Sequence, residues 1–479
     1  MPARISSPIY LFSTLTLALY LTACGSNSNS GGGPPPPPAT GEWTWMSGSN
    51  VAYDPGNFGT QGIASPSNMP ASRYFANSWT DLKSNFWVMG GTTGFTSPQQ
   101  NDLWMYNPAT NEWTWMGDNY EPNPPGVYGQ LGVAAATNVP GGRVSSVSWT
   151  DNAGNFWLFG GYGFDVNGNL GQLNDLWRYQ PSTGFWTWMS GSDTVNASPN
   201  YGALGVAAAT NVPGARTTPA NWIDSSGNLW LFGGETAVTC TDCYLNDLWQ
   251  FNPTTSEWTW VSGSNTPDAD GVYGTLGTPA AGNVPGARTS PANWIDRSGN
   301  LWLFGGVCWC WSATNPSYYF NDLWKFNPST AQWTWMAGSN VPGGGYSGTY
   351  GTLGVPSSSN LPGSLVSPTA WVDHSGNFWL FGGFTYDSSE GNGGANGLWR
   401  FNPSTGQWTW MGGSNIPGGS FGYGTKGVPS PSNAPTSRGD ASGWIDSQNN
   451  LWLFGGYGGD STGGGGPLND LWRWQPAKP

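Results

Sequence analysis

His374 is the only histidine in a chain of 479 residues, and one imidazole cannot supply the two or three ligands of a His-based metal centre. No H-E-x-x-H motif, no G-x-S-x-G nucleophile elbow and no phosphate-cradling Gly loop ahead of a helix is present. The groups that could do chemistry are of other kinds. Five arginines, Arg73, Arg143, Arg216, Arg288 and Arg438, are each followed about 30 residues later by an aspartate: Asp102, Asp175, Asp247, Asp322 and Asp470. Guanidinium and carboxylate can form bidentate pairs, or the arginines can stand as a ring for an anionic ligand. Cys240, Cys243, Cys308 and Cys310 have C-x-x-C and C-x-C spacings, which suit disulfides or a four-thiolate metal site. Trp309, Trp311, Tyr318, Tyr319 and Phe320 form an aromatic group that could meet a sugar ring or a protein partner.

The elements that position these groups are legible as a repeat. W-T-W begins at Trp43, Trp113, Trp186, Trp258, Trp333 and Trp408. An aromatic or Leu, then Trp, two apolar residues and Gly-Gly, begins at Phe86, Phe156, Leu229, Leu301, Phe378 and Leu451. N-D-L-W begins at Asn101, Asn174, Asn246, Asn321 and Asn469, with N-G-L-W at Asn396. The fixed order and a period of about 70 to 75 residues mark a propeller or solenoid. In the unit 216-261, short apolar runs bounded by turn residues predict four strands. Strand a lies over 217-223, b over 229-232 and ended by Gly233-Gly234, c over 248-251 and d over 258-261. The chain opens on a strand d, 42-46, and closes after a strand c, 471-475, so the N-terminal strand is expected to complete the last unit.

An Arg before strand a, Gly-Gly after b, an aromatic on c and a Trp on d resemble the kelch repeat. The resemblance covers all six units and implies an all-β, six-bladed kelch-like β-propeller over 42-479 with four antiparallel strands per blade. Its blades are 73-116, 143-189, 216-261, 288-336, 365-411, and 438-475 plus 42-46. A kelch unit is nearer 50 residues; the excess here is the d-to-a connector, with Y-G-x-x-G at Tyr128, Tyr201, Tyr273, Tyr350 and Tyr423. Kelch propellers of the galactose oxidase type carry copper on two His ligands with a Tyr–Cys cofactor, which His374 alone cannot assemble. His374 falls in the a-to-b turn of blade five, where other blades carry Asn152 or Ser225, and is expected to be a solvated turn residue. No cofactor and no metal is expected. Asp165, Asn167 and Asn169 loosely resemble a calcium-binding run but lack its acidic closing ligand.

The propeller reading places the five arginines at one mouth of the central channel, with the aspartates on the same face. Blade five lacks both, having Leu365 and Gly397 instead. Joint loss is what a structural ion pair predicts, and the ligand-binding ring is the alternative. The strands account for 30 of the 33 tryptophans and Trp474 fills a strand c aromatic position, so only Trp309 and Trp311 fall outside the template.

Arg4 and the apolar stretch 9-21 read as a signal peptide over 1-23. It closes on Leu21-Thr22-Ala23-Cys24, which resembles the bacterial lipobox and implies a lipid on Cys24; an ordinary cleaved signal is the alternative. Residues 24-41, with five consecutive prolines, read as a tether. Outside the cytoplasm disulfides are the expected fate of the other cysteines, their connectivity open. A net charge of −13 argues against nucleic acid as partner.

The expected protein is a non-catalytic, monomeric recognition module, lipid-anchored to a bacterial membrane on its extracytoplasmic side. It would bind a carbohydrate or a partner protein through the b-to-c and d-to-a loops on one face, with the five off-template aromatics as contact surface. Three alternatives stand beside this. The aromatics can fold down as a lid on the blade-three loop; loop carboxylates such as Glu235, Asp387 and Glu390 can serve an enzyme acting on envelope sugars; or the protein can be a purely structural part of the envelope.

Overall fold

The computed structural model describes residues 41-479 apart from 95-98, 118-122, 239, 241-242, 311-317, 342, 344, 388-390, 420 and 477-479. The signal segment, Cys24, nearly all of the tether, Trp311 and Glu390 therefore lie outside the described residues. Those described form strands and turns with no helix. They include six sheets built on one four-strand antiparallel plan. In the third, the order across the sheet is Ala220–Ile223, Leu229–Thr236, Cys243–Asn252 and Glu257–Ser262.

Burial follows the residue pattern. Strand a alternates buried and half-buried positions, as in Ala220–Ile223. Strand b, exemplified by Leu301–Phe304, is buried throughout because sheets pack on both of its faces. Among the described residues the six largest apolar clusters are each shared by two successive sheets. One joins Phe86, Trp104 and Trp113 of the first sheet to Trp444, Trp452 and Phe454 of the sixth, so the series of sheets closes on itself.

Two further features close the ring. Gly41–Ser47 lies antiparallel on Leu471–Pro476, with Trp43 opposite Trp474, and forms the outermost strand of the sixth sheet. Around the axis, Phe75, Ser145, Thr218, Ser290, Ser367 and Asp440, one ahead of each strand a, all take a positive φ of 47 to 60°. The N–H of each donates to the carbonyl of its counterpart in the preceding sheet, from Phe75 to Asp440 at 3.2 Å round to Asp440 on Ser367 at 3.2 Å.

Two expectations about strand limits are corrected. Strand a begins at Ala220 rather than 217, because left-handed Thr218 followed by Pro219 breaks the ladder after Thr217 has bridged Glu235. In the first three sheets the Gly-Gly doublet does not end strand b but makes a β-bulge, in the third between Phe232 and Gly234, after which pairing resumes to Thr236. In the last three, strand b ends before the doublet, as expected. Gly233 has φ +68°, and a Cβ there would sit 2.8 Å from the Arg288 carbonyl and 2.9 Å from that of Leu245. Only glycine fits.

The long connectors are part of the frame. In each sheet a connector residue bridges the first Trp of W-T-W, for example Ala208 to Trp258, and the Asn211 amide donates to the Trp258 carbonyl at 3.0 Å. The connector thereby covers the outer edge that strand d would otherwise expose.

Candidate functional site

The recurring charges come first. Arg216 Nη1 and Nη2 donate to Asp247 Oδ1 and Oδ2 at 2.6 and 2.9 Å. Its Nη1 and Nε also donate to the carbonyls of Gly233 and Gly214, each at 3.0 Å. Trp249 Nε1 and the Tyr201 hydroxyl both donate to Asp247 Oδ2 at 2.8 Å. The carboxylate is thus satisfied by four donor groups. Equivalent pairs join Arg73 to Asp102, Arg143 to Asp175, Arg288 to Asp322 and Arg438 to Asp470 at 2.5 to 2.7 Å. Burial by itself would lower the Arg216 pKa, but the Asp247 carboxylate more than offsets this and holds it above the ordinary value. The Tyr201 hydroxyl is pushed up by burial and then by the same carboxylate. Both side chains of the Arg216 pair are fully buried, which closes this guanidinium to an anionic ligand.

A second set of carboxylates is also structural. Asp224 Oδ1 caps its turn by accepting from the N–H groups of Ser226 and Asn228 at 2.9 and 3.0 Å, and Oδ2 accepts Trp230 Nε1 at 2.9 Å. Asp81, Asp151, Asp296, Asp373 and Asp446 each take the Trp six residues on in the same way. His374, next to Asp373, is exposed in its turn. Asp165 is buried and accepts the N–H groups of Asn167 and Asn169, both at 2.8 Å, which makes it a turn cap.

The blade-four loop is more deeply seated than its composition suggested. Val307–Cys308 pairs with Tyr318–Tyr319. Tyr319 and Phe320 are buried, and the Arg288 guanidinium lies 3.9 Å from the Phe320 ring centre. Neither belongs to an exposed contact surface, which corrects that expectation: the cation–π contact and packing against Tyr244 and Ala287 hold Phe320 inside. Trp309 is half-buried, its Nε1 donating to the Tyr319 hydroxyl at 3.2 Å and its ring 6.0 Å from that of Tyr244. Tyr318 is half-buried as well. Trp309, Cys310 and Tyr318 are what this loop presents to solvent among the described residues.

The cysteines pair within their loops, Cys240 with Cys243 and Cys308 with Cys310. Asp268, from the connector between these two sheets, accepts the Tyr244 N–H at 2.8 Å and lies 3.6 Å from Cys310 Sγ. Burial raises the Asp268 pKa. Cys240, Cys243 and Asp268 cluster within 4.8 Å, as do Asp268, Cys308 and Cys310. With the sulfurs in disulfides, neither cluster offers a thiolate to a metal.

Asp440 was overlooked in the sequence. It is half-buried and is the one acid among the six left-handed residues around the axis. Burial pushes its carboxyl up to about 7. Tyr74 beside it is raised by burial and then by Asp440. The signal was available at a fixed offset of two residues after each repeat Arg, or after Leu365 in the fifth sheet, where the other sheets carry Phe75, Ser145, Thr218, Ser290 and Ser367. Only the folded state holds the Asp440 proton between the ordinary value of 3.8 and about 7, so stability falls as pH rises across that window. Asp440→Asn should therefore raise stability by about 2 kcal/mol at pH 8, discounting for solvent access, and by almost nothing near pH 4. Thermal melts at both pH values check this; equal gains would contradict it.

A family model described as Kelch motif matches residues 82-114. Among solved structures, the one titled "Structure of YjhT" is similar, with 13% identity, a TM-score of 0.50, and coverage of 84% of this chain and 95% of that one. No curated protein matches the sequence. Fold and comparisons together define a β-propeller. Its sheets are the blades, and the Kelch-motif match falls on the first of them.

Proposed function

We propose that this propeller is a lipid-anchored extracytoplasmic recognition module that binds a carbohydrate, or else a partner protein, through the loops between strands b and c and the adjoining connectors. One observation carries the reading: the carboxylates and guanidiniums that recur from blade to blade are held inside ion pairs and turn caps. What differs between blades is in the loops, where function in a shared frame resides. Trp309 and Tyr318 are the contact residues on the blade-four loop, and the lipid sits on Cys24. A glycan array probed with the protein tests this, with Trp309→Ala expected to weaken capture by about 1 to 3 kcal/mol while leaving the melt unchanged. Loss of stability by that amount with capture intact would make the loop a lid. Cys24→Ser carried through the same assay on whole cells should lose surface capture; unchanged capture would remove the anchor from the proposal.

An enzyme acting on envelope sugars is the second reading, and Asp440 is the observation that favours it. A carboxyl titrating near neutrality beside Tyr74 has the properties of a general acid or base. The repeat frame provides no second carboxylate for it.

A further inference from the structure

Two loops of successive blades bring four cysteines to one carboxylate. Cys240 and Cys243 come from the b-to-c loop of blade three, Cys308 and Cys310 from that of blade four. Each of the four sulfurs lies within 4.8 Å of an Asp268 carboxylate oxygen. In each pair one residue is buried, Cys243 or Cys308, and the other, Cys240 or Cys310, reaches solvent. Beneath them Tyr244 of blade three packs with Cys308 and Phe320 of blade four, so the two loops are already joined. The frame does not need an acid at position 268. Asn123 and Asn196 stand at the same place in blades one and two, left-handed like Asp268. The N–H of Asn123, Asn196 and Asp268 donates to the carbonyl of Gln99, Gln172 and Tyr244 at 3.0, 2.7 and 2.7 Å. Oδ1 of each accepts the N–H of the same partner at 2.9, 3.1 and 2.8 Å. An amide therefore closes this clip as well as a carboxylate does. The acid stands where the cysteines converge, and its Oδ2 is an acceptor that an amide nitrogen could not replace.

We propose that Asp268 and the four cysteines form a redox-switched site for a thiophilic divalent cation of the Zn²⁺ class. It is shut while the sulfurs are paired and opens when they are reduced. The donor set decides the class: thiolates with one carboxylate suit Zn²⁺, whereas Ca²⁺ and Mg²⁺ take oxygen ligands. C-x-x-C and C-x-C each let two thiolates chelate one ion, and the shared carboxylate places that ion between the loops. Opening takes two two-electron steps. In each, one external dithiol cleaves an S–S bond to two thiols and is itself oxidised to a disulfide, with Cys240 and Cys310 as the accessible points of attack. The ion then displaces the thiol protons to solvent as the S–metal bonds form. Bound there, it ties blade three to blade four. The site does not depend on the recognition reading above.

The test uses the full chain, reduced with dithiothreitol, desalted under argon and titrated with Co²⁺ as a spectroscopic probe and then with Zn²⁺. Reduced protein should show thiolate-to-cobalt charge transfer and the d–d bands of a tetrahedral site, saturating at one ion per chain and bleached by Zn²⁺. Oxidised protein should show neither. Cys240→Ser with Cys243→Ser, and Cys308→Ser with Cys310→Ser, should each lower Zn²⁺ affinity by at least about a hundredfold, because both loops hold the one ion. Asp268→Asn, which keeps the clip to Tyr244, should lower it by about tenfold and leave the melt of the oxidised protein unchanged. Should a double variant misfold, alkylation of the reduced wild-type chain with peptide mapping reads the same contacts: Zn²⁺ should protect the cysteines of both loops. Octahedral cobalt bands alone, two ions that each survive loss of the other pair, protection of one loop only, unaltered affinity in Asp268→Asn, or equal binding by oxidised protein would each overturn the proposal.

Discussion

Arg216→Leu is expected to destabilise the fold by about 3 to 5 kcal/mol, because it strands Asp247 in a site where both partners are fully buried. Arg216→Leu with Asp247→Gly reproduces what blade five carries at Leu365 and Gly397 and should recover part of the loss. Recovery stays partial because Trp249 and Tyr201 then lose their common acceptor. Urea unfolding of the two single variants and the double gives the coupling directly. Strict additivity would mean that the pair is not an energetic unit.

The second large effect concerns the seam. Deleting residues 42-46 removes Trp43 from the core shared by the fifth and sixth blades and leaves Leu471–Pro476 as an open edge. Loss of one buried Trp alone costs about 3 to 5 kcal/mol. The exposed edge adds a route to aggregation, and the connector bridge from Ser430 to Trp43 is lost as well. The deletion should therefore yield insoluble or cold-labile protein, whereas removal of residues 25-40 should leave the melt unchanged. Equal melting temperatures for the two deletions would contradict closure by the N-terminal strand.

The frame was legible in the sequence because it repeats and because one copy varies. Leu365 and Gly397 change together, and that joint change identifies Arg216 and Asp247 as partners without any structure. The Gly233-Gly234 doublet was misjudged because glycine pairs commonly end strands, while the bulge that these two make depends on the neighbouring Arg288 carbonyl. Subtracting the template found the aromatics of the blade-four loop but could not assign their exposure. Phe320 is inside because Arg288 of the same blade lies over it, a contact across 32 residues of chain.

Recognition without turnover is the central claim, and the fate of a captured ligand tests it most directly. Glycans retained on an array should be incubated with the protein from about pH 4 to pH 8, a range that takes Asp440 through both protonation states, and the eluted sugars read by NMR. Saturable capture with every sugar recovered chemically unchanged is the predicted result. Hydrolysed, epimerised or oxidised sugar in the eluate, lost in Asp440→Asn, would contradict it and make the axis of the propeller an active site.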